Sequence, residues 1–290
     1  MLIKRLLISI LIISFFDIAH SLVRAQCDGS DLGKAVVIVI PSFNNKAWYK
    51  KNLASVWQQR YNNFRVIYVD DCSTDGTADL VSAYVAAHEH HFDFKLIRNP
   101  KRRGPLANYY SAIHSCHDYE IIFCLDGDDF IAHENVLSVI DDAYQADPTL
   151  LMTYGNRLTY LNPKRRFPWG KRYSPEVERN NDYRLARWAA PHPFTFYAGF
   201  FKKIRLEDFL YGDAFMEAVT DQAIIIPLLE MAGGHYHFFA EYLYIWNNTN
   251  PISEFRIRPQ LEEQNGHVIR TRQRYRPLTE QERATIVQAS

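Results

Sequence analysis

The sequence predicts an α/β domain whose mostly parallel sheet carries helices on both faces. Three observations carry that expectation. β-Branched apolar runs recur, each is followed by a segment with helical spacing, and the loops between them are short. Residues 35–40, Ala-Val-Val-Ile-Val-Ile, run up to Pro41, the pattern of a central strand covered on both faces. Tyr49, Leu53, Val56 and Trp57 then share one face of a helix. Residues 64–69 form a second strand ending in Asp70-Asp71; 72–76 has turn chemistry, and 77–87 reads as a second helix. The alternation repeats with a strand at 94–98, a helix at 105–117 (Leu106, Tyr109, Tyr110, Ile113) and a strand at 120–125. A helix at 134–145 (Val136, Val139, Ile140, Ala143) and a strand near 150–155 follow.

After residue 156 the texture changes. Residues 157–193 are rich in Arg, Pro, Trp and Tyr and show no clean period. Residues 194–201 read as a strand, 221–232 as a helix that Pro227 should kink or shorten, and 242–246 as a late strand. The segment from about 255 carries Arg256, Arg258, Arg270, Arg272, Arg274 and Arg276, and its pattern assigns no element. The expected organisation is a leader or anchor over 1–25, a domain over 34–250 with halves 34–155 and 156–250, and a tail over 251–290.

Hydrophobic residues make up 47% of the 290, enough for a sizeable core and against disorder. The 33 basic and 33 acidic residues balance, which argues against nucleic acid and other general polyanion binding and leaves room only for local basic clusters. Cys27, Cys72, Cys116 and Cys124 form no CxxC pair and no zinc spacing; they read as small buried or half-buried thiols, with a disulfide left open. Lys4 and Arg5 precede an apolar stretch, 6–16, that Asp17 and His20 then break. A membrane span needs about 20 apolar residues, so this stretch fits a signal-peptide core better, with Val23-Arg24-Ala25 as a small-residue cleavage site. A short uncleaved anchor and an unused early start are the other readings. The protein is membrane-associated or exported if the segment is used, and cytoplasmic if it is not.

Ligands of parallel α/β sheets bind beyond the carboxyl ends of the strands. Ser42, Asn44, Asp70, Asp71, Asp126 and Asp128 all fall at such ends. Leu125-Asp126-Gly127-Asp128-Asp129 runs a buried strand into three carboxylates parted by one glycine, a DXD motif. Three close acids repel one another unless a cation neutralises them, and carboxylate oxygens suit Mg²⁺ or Mn²⁺ bridging to substrate phosphates. A solvated acidic turn is the bland alternative. In Val69-Asp70-Asp71-Cys72-Ser73-Thr74-Asp75-Gly76-Thr77, a strand-end carboxylate can accept from a nucleobase N–H or a ribose hydroxyl. Asp75 and Thr77 there build the turn and cap the next helix. Pro41-Ser42-Phe43-Asn44-Asn45 forms a rigid polar turn at the same edge.

These three segments, in this order over about residues 35–155, resemble family 2 of the glycosyltransferases, which have the Rossmann-like GT-A fold. The resemblance implies that Pro41, Ser42 and Asn44 line a nucleotide pocket and that Asp70 or Asp71 contacts the base. It places Asp126 near the ribose or sugar and the metal on Asp128, helped by Asp129. Asn99-Pro100-Lys101-Arg102-Arg103-Gly104 through Asn108 resembles the family's loop and helix beside the donor, which implies contacts from Arg103 and Asn108; Lys101 and Arg102 read as a solvated charge run. Members commonly carry Gly where this chain has Cys72, a departure that is tolerable if the turn needs no positive φ. Thr220-Asp221-Gln222 stands where members carry an acidic pair opening a helix; only Asp221 carries over, as general base, and a helix-cap role is compatible. His192 and Trp246 border the acceptor by the same resemblance, although Asn stands near Trp246 where many members have His. A satisfied structural histidine is the other reading of His192. Trp169, Trp188 and Tyr197 read as sugar-stacking platforms or as packing.

The implied enzyme is a metal-dependent, inverting glycosyltransferase. It moves a sugar from a nucleotide diphosphate sugar, UDP first among carriers, to a hydroxyl on a glycan, lipid-linked or protein acceptor. An acceptor-side C-terminal extension completes the fold, with membrane association if the N-terminal segment anchors it. Two rivals stand beside this reading. Nucleotidyl transfer wants a Gly-rich basic loop after the first strand, which 41–45 is not. A degenerate exported GT-A protein would bind sugar or nucleotide without transfer, and the retained acids argue against it.

Overall fold

The computed structural model describes residues 33–161 and 169–287. The apolar stretch 6–16, with its signal-peptide and anchor readings, lies outside the described residues; among those described, no helix is long and apolar enough to cross a membrane.

Strand β1 (Val36–Ser42) is buried at every residue, as a β-branched run covered on both faces requires. Helix α1 (Tyr49–Trp57) sinks Leu53 and Val56 into the core, and β2 (Phe64–Asp70), α2 (Thr77–Ala87) and β3 (Asp93–Arg98) continue the alternation. Helix α3 (Pro105–His114) opens on a proline, whose missing N–H costs nothing in a first turn, and ends short of residue 117. Then come β4 (Ile121–Cys124), the two-residue β5 (Phe130–Ile131), α4 (Val136–Ala146) and β6 (Met152–Thr159). The second half adds α5 (Pro175–Asn180), β7 (Phe194–Tyr197), α6 (Ala198–Phe201) and a 3₁₀ turn at Leu206–Phe209. A hairpin of β8 (Leu210–Tyr211) and β9 (Ala214–Phe215) precedes α7 (Thr220–Ala232) and β10 (Tyr236–Trp246). Helices α8 (Glu254–Ile257), α9 (Pro259–Thr271) and α10 (Glu280–Val287) close the described chain.

Eight strands form one sheet in the order β3-β2-β1-β4-β7-β6-β10-β5. β2 and β4 flank β1 in parallel, so the strand order reverses at β1, which is where such sheets open a crevice. β7 runs antiparallel between β4 and β6, and this returns β6, with β10 parallel beside it, to the direction of β4. The carboxyl ends of β1, β2, β4, β6 and β10 therefore share one edge, joined by the amino end of β7.

Several elements differ from the pattern reading. The apolar run 194–201 is a strand only to Tyr197; the amides of Ala198 and Gly199 then turn to the carbonyls of Glu120 and Asp118. Periodicity does not separate strand from helix when every residue is buried. The late strand begins at Tyr236, six residues before 242, and its register shifts against β6 near Tyr242 and breaks the alternation. Helix α7 runs through Pro227 to Ala232, with the proline buried in the core.

The Arg-rich segment packs back on the domain, burying Ile269, Leu278 and Ile286. Its arginines are largely spent on that docking. Arg272 meets Asp208 at 3.3 Å, Arg274 meets Asp182 at 2.6 Å, and Arg270 donates to the carbonyls of Arg184 and Ala186 at 2.8 Å each. Beneath it, buried Arg184 grips Glu230 with two bonds of 2.8 and 2.9 Å and also reaches the Ile269 carbonyl. Removing one partner of such a pair strands the other charge in the core.

Candidate active site

At the shared strand edge lies a cavity of about 520 Å³, within the range of small-molecule sites. Its floor is the turn after β4. Gly127 there lies so close to the turn after β1 that an added Cβ would stand 2.7 Å from Ser42 Cβ and 2.8 Å from Asn45 Nδ2. Only glycine fits, which explains the residue that parts the acids. Helix α1 clamps the turn from behind, with Asn52 Nδ2 donating to the carbonyls of Asp126 (3.0 Å) and Asp129 (2.8 Å).

The three acids differ in what holds them. Asp126 Oδ1 accepts from the Tyr109 hydroxyl at 3.1 Å, and Asp128 Oδ2 accepts from Asn250 Nδ2 at 2.6 Å. Asp129 is buried, with Oδ2 accepting from the Tyr244 hydroxyl and Oδ1 from the Asn247 amide, both at 2.7 Å. It is a brace between the β4 turn and the end of β10. Burial raises the pKa of all three carboxyls, and repulsion from Asp128 adds to it at Asp126 and Asp129. Asp126 and Asp128 are the half-buried members with surface on the cavity.

Asp221 enters the same cavity from the first turn of α7. Its Oδ1 accepts from the Gln222 amide at 2.8 Å. Burial raises its pKa, while that amide and the charge of Arg157 pull the other way. Val219, two residues before it and also in the cavity wall, sits at φ +56°, a left-handed conformation that β-branched residues rarely adopt. Strain of this kind concentrates at functional sites.

The cavity also takes His192 and Trp246. The His192 ring stacks on Tyr244 (centroids 4.7 Å apart) with Nε2 3.9 Å from Asp126 Oδ2. Burial, reinforced by Arg157, holds its pKa well below the ordinary imidazole value, so the ring is neutral. Arg157 lies over Trp246, 4.2 Å from the ring centroid. Burial lowers its pKa, and Asp129, Asp221 and Asp126 oppose the shift.

Of the residues singled out in sequence, Pro41, Ser42, Asp71, Asn108, Asp126, Asp128, Asp129, His192, Asp221 and Trp246 line this cavity. Asn44, Asp70 and Arg103 do not. Asn44 joins the β1 and β2 turns, its Oδ1 accepting from the Thr74 amide at 2.8 Å. Asp70 Oδ2 accepts from the Ser73 amide at 3.0 Å behind the wall, and Arg103 lines a neighbouring cavity. Asp71 is heavily committed: Oδ1 accepts from Asn99 Nδ2 (2.8 Å) and the Arg103 amide (2.9 Å), and Oδ2 from the Gly104 amide (2.8 Å). It shapes the loop before α3. Asn108 Oδ1 accepts from Asn99, and its buried Nδ2 has no partner among the described residues, an unmet donor in the cavity wall. Cys72 stands at φ +62°, so the turn does need the left-handed conformation that a glycine would supply freely. Cys72, Cys116 and Cys124 are free thiols.

Arg157, Asn250 and Glu262 also line the site, and sequence reasoning missed all three. Arg157 lies in the last three residues of β6, inside a stretch without period, and only the strand's register brings it to the edge. Glu262 comes from α9, and burial followed by the charge of Asp221 raises its pKa. Among the described residues, no group of three His, Cys, Asp or Glu side chains is arranged to hold a metal ion alone. The donor set instead fits an ion that takes one or two carboxylates from the protein and the rest of its ligands from phosphate and water.

A family model described as Glycosyl transferase family 2 matches residues 37–208, more than half of the 290. An uncharacterised glycosyltransferase of Haemophilus influenzae is 27% identical over 121 residues, 42% of this chain and 46% of that protein. The poly-β-1,6-N-acetyl-D-glucosamine synthase of Staphylococcus epidermidis is 25% identical over 123 residues, 42% of this chain and 28% of that one. The match thus spans less than half the length of these curated relatives. Among solved structures, S. aureus TarS in complex with UDP-GlcNAc superposes with a TM-score of 0.58 at 15% identity, over 87% of this chain and 70% of that chain. The mannosyltransferase PcManGT of Pyrobaculum calidifontis, in complex with GDP-Man and Mn²⁺, gives 0.56 at 18% identity, over 92% and 73%. These likenesses establish a GT-A fold, and the family match gives the family: the chain belongs to glycosyl transferase family 2.

Proposed function

We propose that the chain is a metal-dependent, inverting glycosyltransferase that moves a sugar from a nucleotide diphosphate sugar to a hydroxyl acceptor. One observation carries the reading: a single cavity gathers Asp126 and Asp128 from the end of β4 and Asp221 from the start of α7. UDP is the first carrier to test, because TarS is solved with UDP-GlcNAc; GDP is the second, from the GDP-Man complex of PcManGT.

In this reading Pro41, Ser42 and Asn108 wall the nucleotide end, with the unmet Asn108 Nδ2 as a hydrogen-bond donor to it. Asp128, with Asp126 beside it, holds a Mn²⁺ or Mg²⁺ ion whose chemistry, when bound, is to neutralise charge on the leaving diphosphate. Asp221 takes the proton of the incoming hydroxyl as its oxygen attacks the anomeric carbon, in one displacement that inverts configuration. Neutral His192 and the Arg157–Trp246 stack stand where the sugar or the acceptor rests.

The test is donor turnover by the full chain. UDP-, GDP- and dTDP-sugars are offered with Mn²⁺, Mg²⁺ or chelator, and nucleoside diphosphate release is followed. One donor class is expected to turn over, and Asp221→Asn to cut the rate by about 10²–10⁴ while the nucleotide still binds. Turnover of no donor, or an Asp221→Asn enzyme as fast as the parent, contradicts the proposal.

A further inference from the structure

Beside the first cavity, sharing Arg102 and Pro105 with it, lies a second of about 440 Å³. Four of its lining residues are basic: Lys101, Arg102 and Arg103 from the loop before α3, and Arg258 from the start of α9. Three adjacent cations on an exposed loop are ordinarily a solvated run. Here a fourth, brought from far along the chain, closes on them around a cavity.

The local acids do not balance these charges. Glu217 is the only carboxylate lining the cavity among the described residues, and it is paired with Arg258. Asp71, behind the loop, spends both oxygens on Asn99 and the amides of Arg103 and Gly104. Arg102 lies over the Phe43 ring at 4.1 Å, while the Lys101 and Arg103 side chains have no ion pair among the described residues. Like charges held together without a counter-ion repel, and an anion in the cavity relieves that repulsion. In a chain whose net charge is zero, this is local chemistry and not a general basic surface.

We propose that the second cavity is a subsite for an anionic acceptor, holding a phosphate or carboxylate that the acceptor carries near the hydroxyl to be glycosylated. The inference rests on the first cavity being the donor site. The donor's own diphosphate is then accounted for at the Asp126–Asp128 edge, and a separate anion belongs to the other substrate. The volume suits a sugar-sized unit.

The probe is inorganic tripolyphosphate, titrated calorimetrically into the metal-free full chain with and without saturating UDP, so that chelation of a divalent ion does not enter the heat. Binding is expected to persist beside bound UDP and to weaken with added salt. Lys101→Ala/Arg258→Ala should weaken it by about tenfold or more, since hydrogen bonds to charged groups are the strong ones. Glu217→Gln removes the competing carboxylate and should tighten it; this variant decides the matter if the double variant fails to fold. Displacement of the probe by UDP, or unchanged affinity in Glu217→Gln, overturns the proposal. UDP failing to bind even with Mn²⁺ added, while the probe still responds to the variants, removes the donor reading and leaves the anion site standing. An oligogalacturonate titrated in parallel identifies the anion: tighter tripolyphosphate binding assigns a phosphate-bearing acceptor, tighter uronate binding an acidic sugar.

Discussion

Cys72 and Arg157 show how single residues adjust the site. Holding a non-glycine residue at φ +62° costs roughly 1–2 kcal/mol, against about 0.5–1 kcal/mol of extra unfolded-state freedom that glycine brings. Cys72→Gly should therefore stabilise the protein by about 0.5–1 kcal/mol in denaturant unfolding, and a loss of stability contradicts the reading of strain. Arg157 acts on Asp221 by charge. Burial raises the Asp221 pKa and Arg157 opposes it, so removing the guanidinium must raise that pKa further. A general base works only when ionised, so the acid limb of kcat/KM should move to higher pH in Arg157→Met. A limb that stays in place separates Arg157 from the base. Neither residue's role was legible in sequence: the sign of φ at position 72 depends on how two turns meet, and Arg157 reaches the cavity only through the register of β6 on β10.

At the scale of elements, the carboxylates of the turn after β4 differ in what they hold, and the proposed metal role falls to the less committed ones. Asp129 ties that turn to the end of β10 through Tyr244 and the Asn247 amide, whereas Asp128 holds one side-chain amide, Asn250, at the cavity. Asp129→Ala leaves two buried donors unmet and should cost about 2–3 kcal/mol of stability. Asp128→Ala should cost less than about 1 kcal/mol and instead weaken metal-dependent nucleotide binding. Equal stability losses in chemical denaturation would contradict this division. Strands β1, β2, β3, β4 and β6 and the helices α1 to α4 between them were readable because their apolar residues recur at regular spacing, in runs that the sheet buries completely at β1 and β4. Elements held by distant partners were not: β5 is two residues long, β10 is broken by register shifts, and α6 begins where backbone amides find Glu120 and Asp118.

For the whole molecule, the sheet order explains why residues far apart in sequence meet. The antiparallel β7 lets β6 and β10 end at the same edge as β1 and β4, and α7 delivers Asp221 there. The strand-end acids announced the edge in sequence, although Asp70, Asp71 and Asp129 accept hydrogen bonds that hold its turns and loops in place. The contributions of the second half, Asn250 and Glu262 among them, follow from topology and from a tail whose arginines are consumed in docking. The central claim is that the Asp126–Asp128 edge binds a nucleoside diphosphate together with a divalent ion. The most direct measurement is thermal unfolding of the full chain with UDP or GDP, with and without Mn²⁺, in the parent and in Asp128→Ala, since a ligand that binds only the native state raises the midpoint by mass action. A rise is expected with one nucleotide, larger with Mn²⁺ and lost in the variant; no rise with either nucleotide, or a rise indifferent to both the metal and Asp128, contradicts nucleotide and metal binding at this edge.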